Sequence, residues 1–170
     1  MPRRGLTLAL MLLLPLLAGC GFQPLYGGHA RPGMEADLAA IKVMSIPEHV
    51  GQLLKWQLEK EFNPDGVAVP QRYALRIAIA MRQDNLATEP SNVAPRGSIS
   101  AAADIALTTL DGKTVLYRGK IQSIADYNIG TDPYAAEAGK SDAETAIVED
   151  LGEQIALRVS VYFRNKTAAQ

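Results

Sequence analysis

The sequence predicts an α+β two-layer sandwich, in which two amphipathic helices cover one face of a four-stranded mixed sheet. Three segments alternate apolar and polar residues with the period of two that is typical of half-buried strands, and two other segments repeat apolar residues at helical spacing. The element order is β-α-β-β-β-α. One apolar stripe per helix places both helices on the same sheet face. The composition of the 170 residues, 48% hydrophobic and 21% charged, is that of an ordinary globular domain.

A short strand and a helix open the predicted domain. Residues 40–46 are apolar and rich in β-branched residues, and Pro47 ends this first strand. Residues 49–62 form a helix with one apolar stripe, made by Val50, Leu54, Leu58 and Phe62. Trp56 lies off this stripe. It either covers an edge of the core or contacts a partner, since protein interfaces are enriched in Trp.

Residues 72–82 show the clearest strand pattern, with one apolar face that belongs in the core. The other face carries alanines and three arginines, Arg72, Arg76 and Arg82. This face is either solvated or a basic strip that meets anionic groups. The next segment, 84–97, is polar and holds two prolines, which predicts an exposed loop.

Residues 99–109 and 113–127 are predicted to pair as a hairpin. A three-residue loop over 110–112 keeps the apolar residues of both strands on one face, because it pairs Thr109 with Lys113 and Leu107 with Val115. Gly112 then takes the left-handed position of the turn. The outer sheet face bears Arg72, Arg76, Arg82, Asp104, Arg118, Lys120 and Gln122, and it therefore faces water or a partner.

The last helix is predicted to begin at Pro133, with Asp132 as its cap. Gly139 weakens the opening turns, and Ser141 with Glu144 makes a second capping box, so a kink or restart is expected near 139–141. An apolar stripe then continues to Tyr162. The predicted domain covers residues 39–166, and 167–170 form a tail.

The N-terminus has the pattern of a lipoprotein leader. Arg3 and Arg4 precede a run of about a dozen apolar residues, which is too short to span a bilayer. Leu17-Ala18-Gly19-Cys20 then resembles the bacterial lipobox, and Cys20 is the only cysteine of the chain. Residues 1–19 are therefore predicted to be removed, leaving Cys20 with a diacylglycerol and an N-acyl chain. Residues 20–38, which are rich in glycine and proline, are predicted to be a flexible tether.

Composition and motifs argue against most other classes. Without Arg3 and Arg4 the chain has 15 basic and 18 acidic residues, a net charge of about −3, which is unlike a nucleic-acid-binding surface. The sequence shows no nucleophile elbow and no phosphate loop. With two histidines and Cys20 committed to lipid, we expect no metal site, no cofactor and no enzyme activity. A hydrolase that uses His49 is the remaining enzymatic alternative.

A binding or scaffolding domain remains, and its candidate contact residues are three isolated basic side chains, Arg96, Lys120 and Lys140. The box Gly19-Cys20-Gly21-Phe22-Gln23-Pro24-Leu25-Tyr26 resembles the start of the LPS-assembly lipoprotein family LptE, in its alphaproteobacterial form. Weaker likenesses follow along the chain, at Gly51-Gln52-Leu53, Tyr73-x-Leu75, Tyr127-Asn128 and Asp132-Pro133-Tyr134-Ala135.

The resemblance implies a definite function. Members of this family sit inside the β-barrel LptD on the periplasmic side of the outer membrane, stabilise and plug the barrel, and help to deliver lipopolysaccharide to the outer leaflet. They use no cofactor. Basic residues ahead of the third strand and near the start of the final helix are held to bind lipopolysaccharide, and the matching positions fall near Arg96 and Lys140. The alternative is a free-standing lipoprotein that binds a lipidic or small ligand in the periplasm.

Overall fold

The computed structural model describes residues 32–86, 96–129 and 132–168, which lie in the compact unit Arg31–Gln170. Its elements are α1 (Pro32–Ala39), β1 (Ile41–Val43), α2 (Glu48–Phe62), β2 (Tyr73–Leu86), β3 (Arg96–Thr109), β4 (Val115–Asn128) and α3 (Pro133–Ala168). The four strands form one sheet in the order β1-β2-β3-β4. β1 pairs with β2 in parallel, and the other pairs are antiparallel. The predicted α+β class and mixed four-stranded sheet are confirmed.

The core lies between the inner face of the sheet and the helices. Its large, fully buried side chains come from the sheet (Leu75, Ile99, Leu107, Ile121), from α2 (Leu54, Leu58), from α3 (Ile147, Leu151, Ile155, Val159, Phe163) and from Ile46 between β1 and α2. Burying each such side chain contributes about 1.5–3 kcal/mol. The two predicted helical stripes therefore supply this layer. Trp56 is 66% exposed and so does not cover an edge of the core.

Helix α1 differs from the prediction, because all its residues except Ala39 belong to the segment 20–38 that composition predicts as a tether. Pro32 stands at the first helical position, where its missing N–H costs nothing. Asp37 then accepts hydrogen bonds from Arg72 Nη2 at 2.5 Å and from the Tyr73 hydroxyl at 3.2 Å. Leu38 packs against the core. Arg72, which strand alternation assigns to the outer sheet face, is therefore held by α1.

Strands β2 and β3 are longer than predicted. The antiparallel ladder continues through the pair Asp84↔Ser98 to Leu86↔Arg96. Residues 84–86 and 96–97, at the two ends of the predicted loop 84–97, are therefore strand. Polar residues can extend a ladder because its hydrogen bonds join backbone groups. Residues 87–95 lie outside the described ranges.

The predicted three-residue loop between β3 and β4 is wrong. The Thr109 N–H donates to the Thr114 carbonyl at 3.0 Å, so residues 110–113 form a four-residue connection. Such a connection alone would turn the apolar residues of β4 outward. A register shift between Leu107 and Thr108 corrects this, because Thr108 pairs with Val115 and Leu107 pairs with Tyr117. The bulge restores the inner face by skipping one residue of β4.

The turn itself is stabilised by Asp111. Its Oδ1 accepts hydrogen bonds from Thr109 Oγ1 at 2.5 Å and from the Lys113 N–H at 3.2 Å. The Thr109 bond, with a smaller contribution from the Lys113 N–H, lowers the pKa of Asp111 from its usual 3.8. Gly112 has φ +71°, which confirms the predicted left-handed position.

Helix α3 is continuous over 36 residues and does not restart near 139–141. The Tyr134 N–H donates to Asp132 Oδ1 at 2.9 Å, so Asp132 acts as predicted at the helix start. One glycine inside a helix costs about 1 kcal/mol, less than the burial of the apolar residues that follow. The helix ends at Ala168, beyond the predicted start of the tail at 167. Within the described ranges, no helix combines the length and apolar content that crossing a bilayer requires.

Candidate functional site

Two of the three candidate basic residues lie at the same end of the domain. Arg96 is the first residue of β3, and its register partner is Asn128, the last residue of β4. The carbonyl oxygen of Asn128 lies 3.8 Å from the position that a Cβ on Gly139 would occupy. Lys140 follows directly on α3. The end of β4 is therefore next to both the start of β3 and the first turns of α3, so Arg96 and Lys140 lie at the same end of the domain. Strand alternation places Arg96 on the outer sheet face, whereas Lys140 belongs to the helix that covers the inner face.

A close aromatic contact shapes the strand ends in this region. The Tyr127 ring lies over Gly97, where an added Cβ would stand 2.4 Å from the ring's Cζ atom. Only glycine fits beneath the ring in this arrangement. The Tyr127 hydroxyl also accepts a hydrogen bond from Gln83 Nε2 at 2.7 Å, which joins β4 to β2 across β3. These contacts fix β2, β3 and β4 relative to one another at the end of the sheet where Arg96 lies.

The sequence patterns do not indicate a supporting role for Gly97, Gln83 or Tyr127, and Tyr127 is noted only within the Tyr127-Asn128 likeness. The available signal was Gly97, since a glycine at the start of a strand indicates close approach of another group. The identity of that group depends on a strand register that pairs Gly97 with Tyr127.

Lys120 does not belong to this region. It lies in the middle of β4, eight residues from Asn128, which corresponds to about 27 Å along a strand. Its register partner is Asp104, and the two side chains form a long ion pair of 4.0 Å between Nζ and Oδ2. The structure therefore separates Lys120 from Arg96 and Lys140.

The two cations at this end of the domain differ in their surroundings. Lys140 Nζ lies 3.9 Å from Glu144 Oε1, and both side chains are about one third exposed (31% and 32%). Such a surface pair contributes less than about 1 kcal/mol, so an external anion can compete for the ammonium group. Arg96 is exposed and makes no ion pair with a described residue.

Each of these two cations can hold an anion. A guanidinium group binds a phosphate or carboxylate through paired hydrogen bonds, and an ammonium group adds a point charge.

His49, the residue of the hydrolase alternative, is exposed in the first turn of α2. Among the described residues, no group of three or more His, Cys, Asp or Glu side chains is placed to hold a metal ion. Cys20 and the leader lie outside the described residues.

The fold defines a class of small α+β domains with helices on one sheet face and an open second face, and solved structures share it. A Caulobacter crescentus protein described as a candidate lipoprotein superposes with a TM-score of 0.63 at 21% identity, over 79% of this chain and 97% of that chain. A minor lipoprotein from Acinetobacter baumannii superposes with a TM-score of 0.60 at 15% identity, over 72% and 92%. These likenesses establish a common fold. No protein-family model and no curated protein matches the sequence.

Proposed function

We propose that this protein is an outer-membrane lipoprotein that plugs and stabilises an LptD-type β-barrel and assists the assembly of lipopolysaccharide in the outer leaflet. The observation that carries the proposal is the box from Gly19 to Tyr26, which follows a secretory leader and resembles the start of the LptE family. The shared fold supports it, because both structures reported above are described as lipoproteins.

The anchor would be Cys20, as the diacylglycerol- and N-acyl-modified first residue of the mature chain. Each buried CH2 group of an acyl chain contributes about 0.8 kcal/mol, so several chains make membrane attachment effectively permanent. Gly21 follows the cysteine in place of the aspartate that tends to retain bacterial lipoproteins in the inner membrane. The proposed location is therefore the periplasmic side of the outer membrane.

The surface of the domain is compatible with a plug. The lumen of a large outer-membrane barrel is polar, so a protein inside it needs a polar exterior. The outer sheet face meets this need, since Arg76, Arg82, Arg118 and Lys120 are all exposed. The helices bury their apolar stripes against the opposite face.

Arg96 and Lys140 are the proposed contacts for lipopolysaccharide. The lipid A phosphates are anions that a guanidinium group can hold by charge-assisted hydrogen bonds. Both side chains lie at one end of the domain and neither is fully buried, so binding would not leave an unpaired charge in the core.

Co-purification tests the barrel partner. Tagged full-length protein extracted from outer membranes is expected to bring down a large β-barrel in a near-equal amount. The variant Cys20→Ala serves as the control for anchoring, because it should lose acyl labelling and outer-membrane fractionation. Recovery of the lipidated wild type without any large barrel would contradict the proposal.

A charge-reversal pair tests the lipopolysaccharide contacts. We expect Arg96→Glu/Lys140→Glu to weaken lipopolysaccharide binding at least tenfold while barrel association is unchanged. Arg158→Glu/Arg164→Glu on α3 makes the same change in net charge at exposed positions, and it should bind like the wild type. Equal binding by both double variants would remove Arg96 and Lys140 from the site. Lys120→Glu, tested alone, is expected to have the smaller effect.

A free-standing lipoprotein with a ligand between sheet and helices would need a roomy apolar cavity in that layer. The described side chains that fill this layer include Leu58, Ile155 and Phe163, each with 0% exposure. One depression that is lined by described residues lies on the outer sheet face. The packing therefore favours the plug over this alternative.

A further inference from the structure

The outer face of β2, β3 and β4 is the side of the sheet opposite the core. We call it the arginine face, after Arg76, Arg82 and Arg118, which are exposed there together with Lys120. Several residues between these cations are small, namely Ala78, Ala80, Ala102 and Ala106. Side chains of a partner can therefore reach the floor of the sheet between the arginines.

A shallow depression marks the middle of this face. Its volume is about 280 Å³, and Ala80, Ala102 and Gln122 are among its lining residues. Ile124 also lines it and is 70% exposed, although most large apolar side chains of this sheet are buried. Ile124 therefore adds one apolar side chain to the rim of a depression that is otherwise bordered by small and polar residues.

Two arginines of this face form no ion pair within the described part of the chain. Arg76 and Arg118 are the register partners of Ala106 on its two sides, so their backbones lie about 10 Å apart. Neither forms an ion pair with a described residue, whereas Arg82 lies 3.1 Å from Asp84. The Arg76 guanidinium lies over the β3–β4 turn, with Nη2 3.2 Å from the Cβ position of Gly112.

The form of this surface favours a protein over a lipid phosphate. The Arg76 guanidinium lies beside the β3–β4 turn, four or more residues along the chain from Ala106, which separates the backbones of Arg76 and Arg118. Asp104 lies in the next row of the sheet and would repel a polyanion. Two separate carboxylates on an extended polar surface, with an apolar side chain at the depression, fit this pattern better.

We infer that the arginine face docks on the polar inner wall of the barrel partner, with wall carboxylates at Arg76 and Arg118 and an apolar wall side chain beside Ile124. The inference rests on the proposed function and adds to it the face that makes the charged contact. It also names the two residues on which that contact depends.

Photo-crosslinking in cells tests the inference with the full-length lipoprotein. A photoreactive residue replaces Gln122, which is exposed at the centre of the arginine face. The expected product joins this chain to a large β-barrel identified by mass spectrometry. We expect Arg76→Glu/Arg118→Glu to lower the yield of this product at least tenfold. The control Arg158→Glu/Arg164→Glu carries the same charge change on α3 and should leave the yield unchanged.

Each other outcome has a definite meaning. Thermal unfolding of the purified variants within a few degrees of the wild type shows that a loss of product is not a loss of fold. If the barrel still co-purifies and crosslinks equally well after reversal of Arg76 and Arg118, the inference is wrong and the proposed function stands. Crosslinks only to a second copy of this chain or to lipopolysaccharide would also overturn the inference. If the wild type brings down no barrel, the proposed function fails.

Discussion

Two glycines in the helices are expected to change the stability of the protein in opposite directions when each is replaced by alanine. Gly51 lies in α2 and Gly152 lies in α3, and both are buried. Replacing a glycine inside a helix by alanine removes backbone freedom from the unfolded chain and stabilises the helix by roughly 0.5–1 kcal/mol. Whether the protein gains this amount depends on what the new methyl group meets.

At Gly51 the added Cβ would stand 2.6 Å from Ile46 Cγ2 and 3.1 Å from the backbone carbon of Ile46. Carbon atoms in contact prefer about 3.5–4.0 Å, so something must move by about 1 Å. Ile46 is 1% exposed, and its carbonyl oxygen accepts a hydrogen bond from Gln52 Nε2, so it cannot turn away. Overpacking of this kind costs about 1–3 kcal/mol. We expect Gly51→Ala to be destabilised by about 1–2 kcal/mol.

At Gly152 the nearest atom is Gln57 Cγ at 2.8 Å, and the next is 3.8 Å away. Gln57 is partly exposed, and its long side chain can move to another rotamer. We therefore expect Gly152→Ala to be between neutral and about 1 kcal/mol more stable than the wild type. Urea unfolding followed by circular dichroism measures both variants. A Gly51→Ala variant as stable as the wild type would refute the reasoning, as would equal shifts in both variants.

Further predictions concern the strand ends, the turn and the core. Gly97→Ala forces a Cβ into the Tyr127 ring and should lower the free energy of unfolding in urea by about 1–3 kcal/mol. Tyr127→Phe removes only the hydrogen bond from Gln83 and should lower it by about 0.5–1.5 kcal/mol. Because the pKa of Asp111 is lowered from 3.8 in the folded state, its contribution to stability is complete above that pH and is lost as the pH falls through the lowered value. Thermal unfolding of Asp111→Asn should therefore vary less with pH below about 4 than that of the wild type, and an identical acid profile would contradict this. Leu151→Ala at a fully buried position should cost about 2–5 kcal/mol, and a loss below 1 kcal/mol would show that the core is not packed as described.

Much of the fold follows from patterns that are local in the chain. Alternation along 72–82 identifies the buried face of β2, and steps of four residues identify the face of α2 that packs on it. Asp132 and Gly112 are read correctly for the same reason, since a helix cap and a left-handed turn position depend on a few neighbouring residues. The lipobox around Cys20 is also a local pattern, and its reading stays a prediction.

Other features depend on residues that are distant in sequence. Composition predicts a tether over 20–38 because it does not include the hydrogen bonds that Asp37 receives from Arg72 and Tyr73, 35 and 36 residues away. The alternation of apolar residues correctly places Tyr117 on the inner face. The four-residue connection and the bulge that produce this placement depend on the hydrogen bonding of the whole β3–β4 ladder.

The description of the candidate site depends on both the sequence and the tertiary structure. The sequence by itself singled out Arg96, Lys120 and Lys140 as isolated cations, because charge and position can be read from the chain. Only the tertiary structure showed that Arg96 and Lys140 share one end of the domain while Lys120 lies about 27 Å along the strand from that end. The physical reason is that spatial proximity is decided by the strand register and by the packing of α3 on the end of β4.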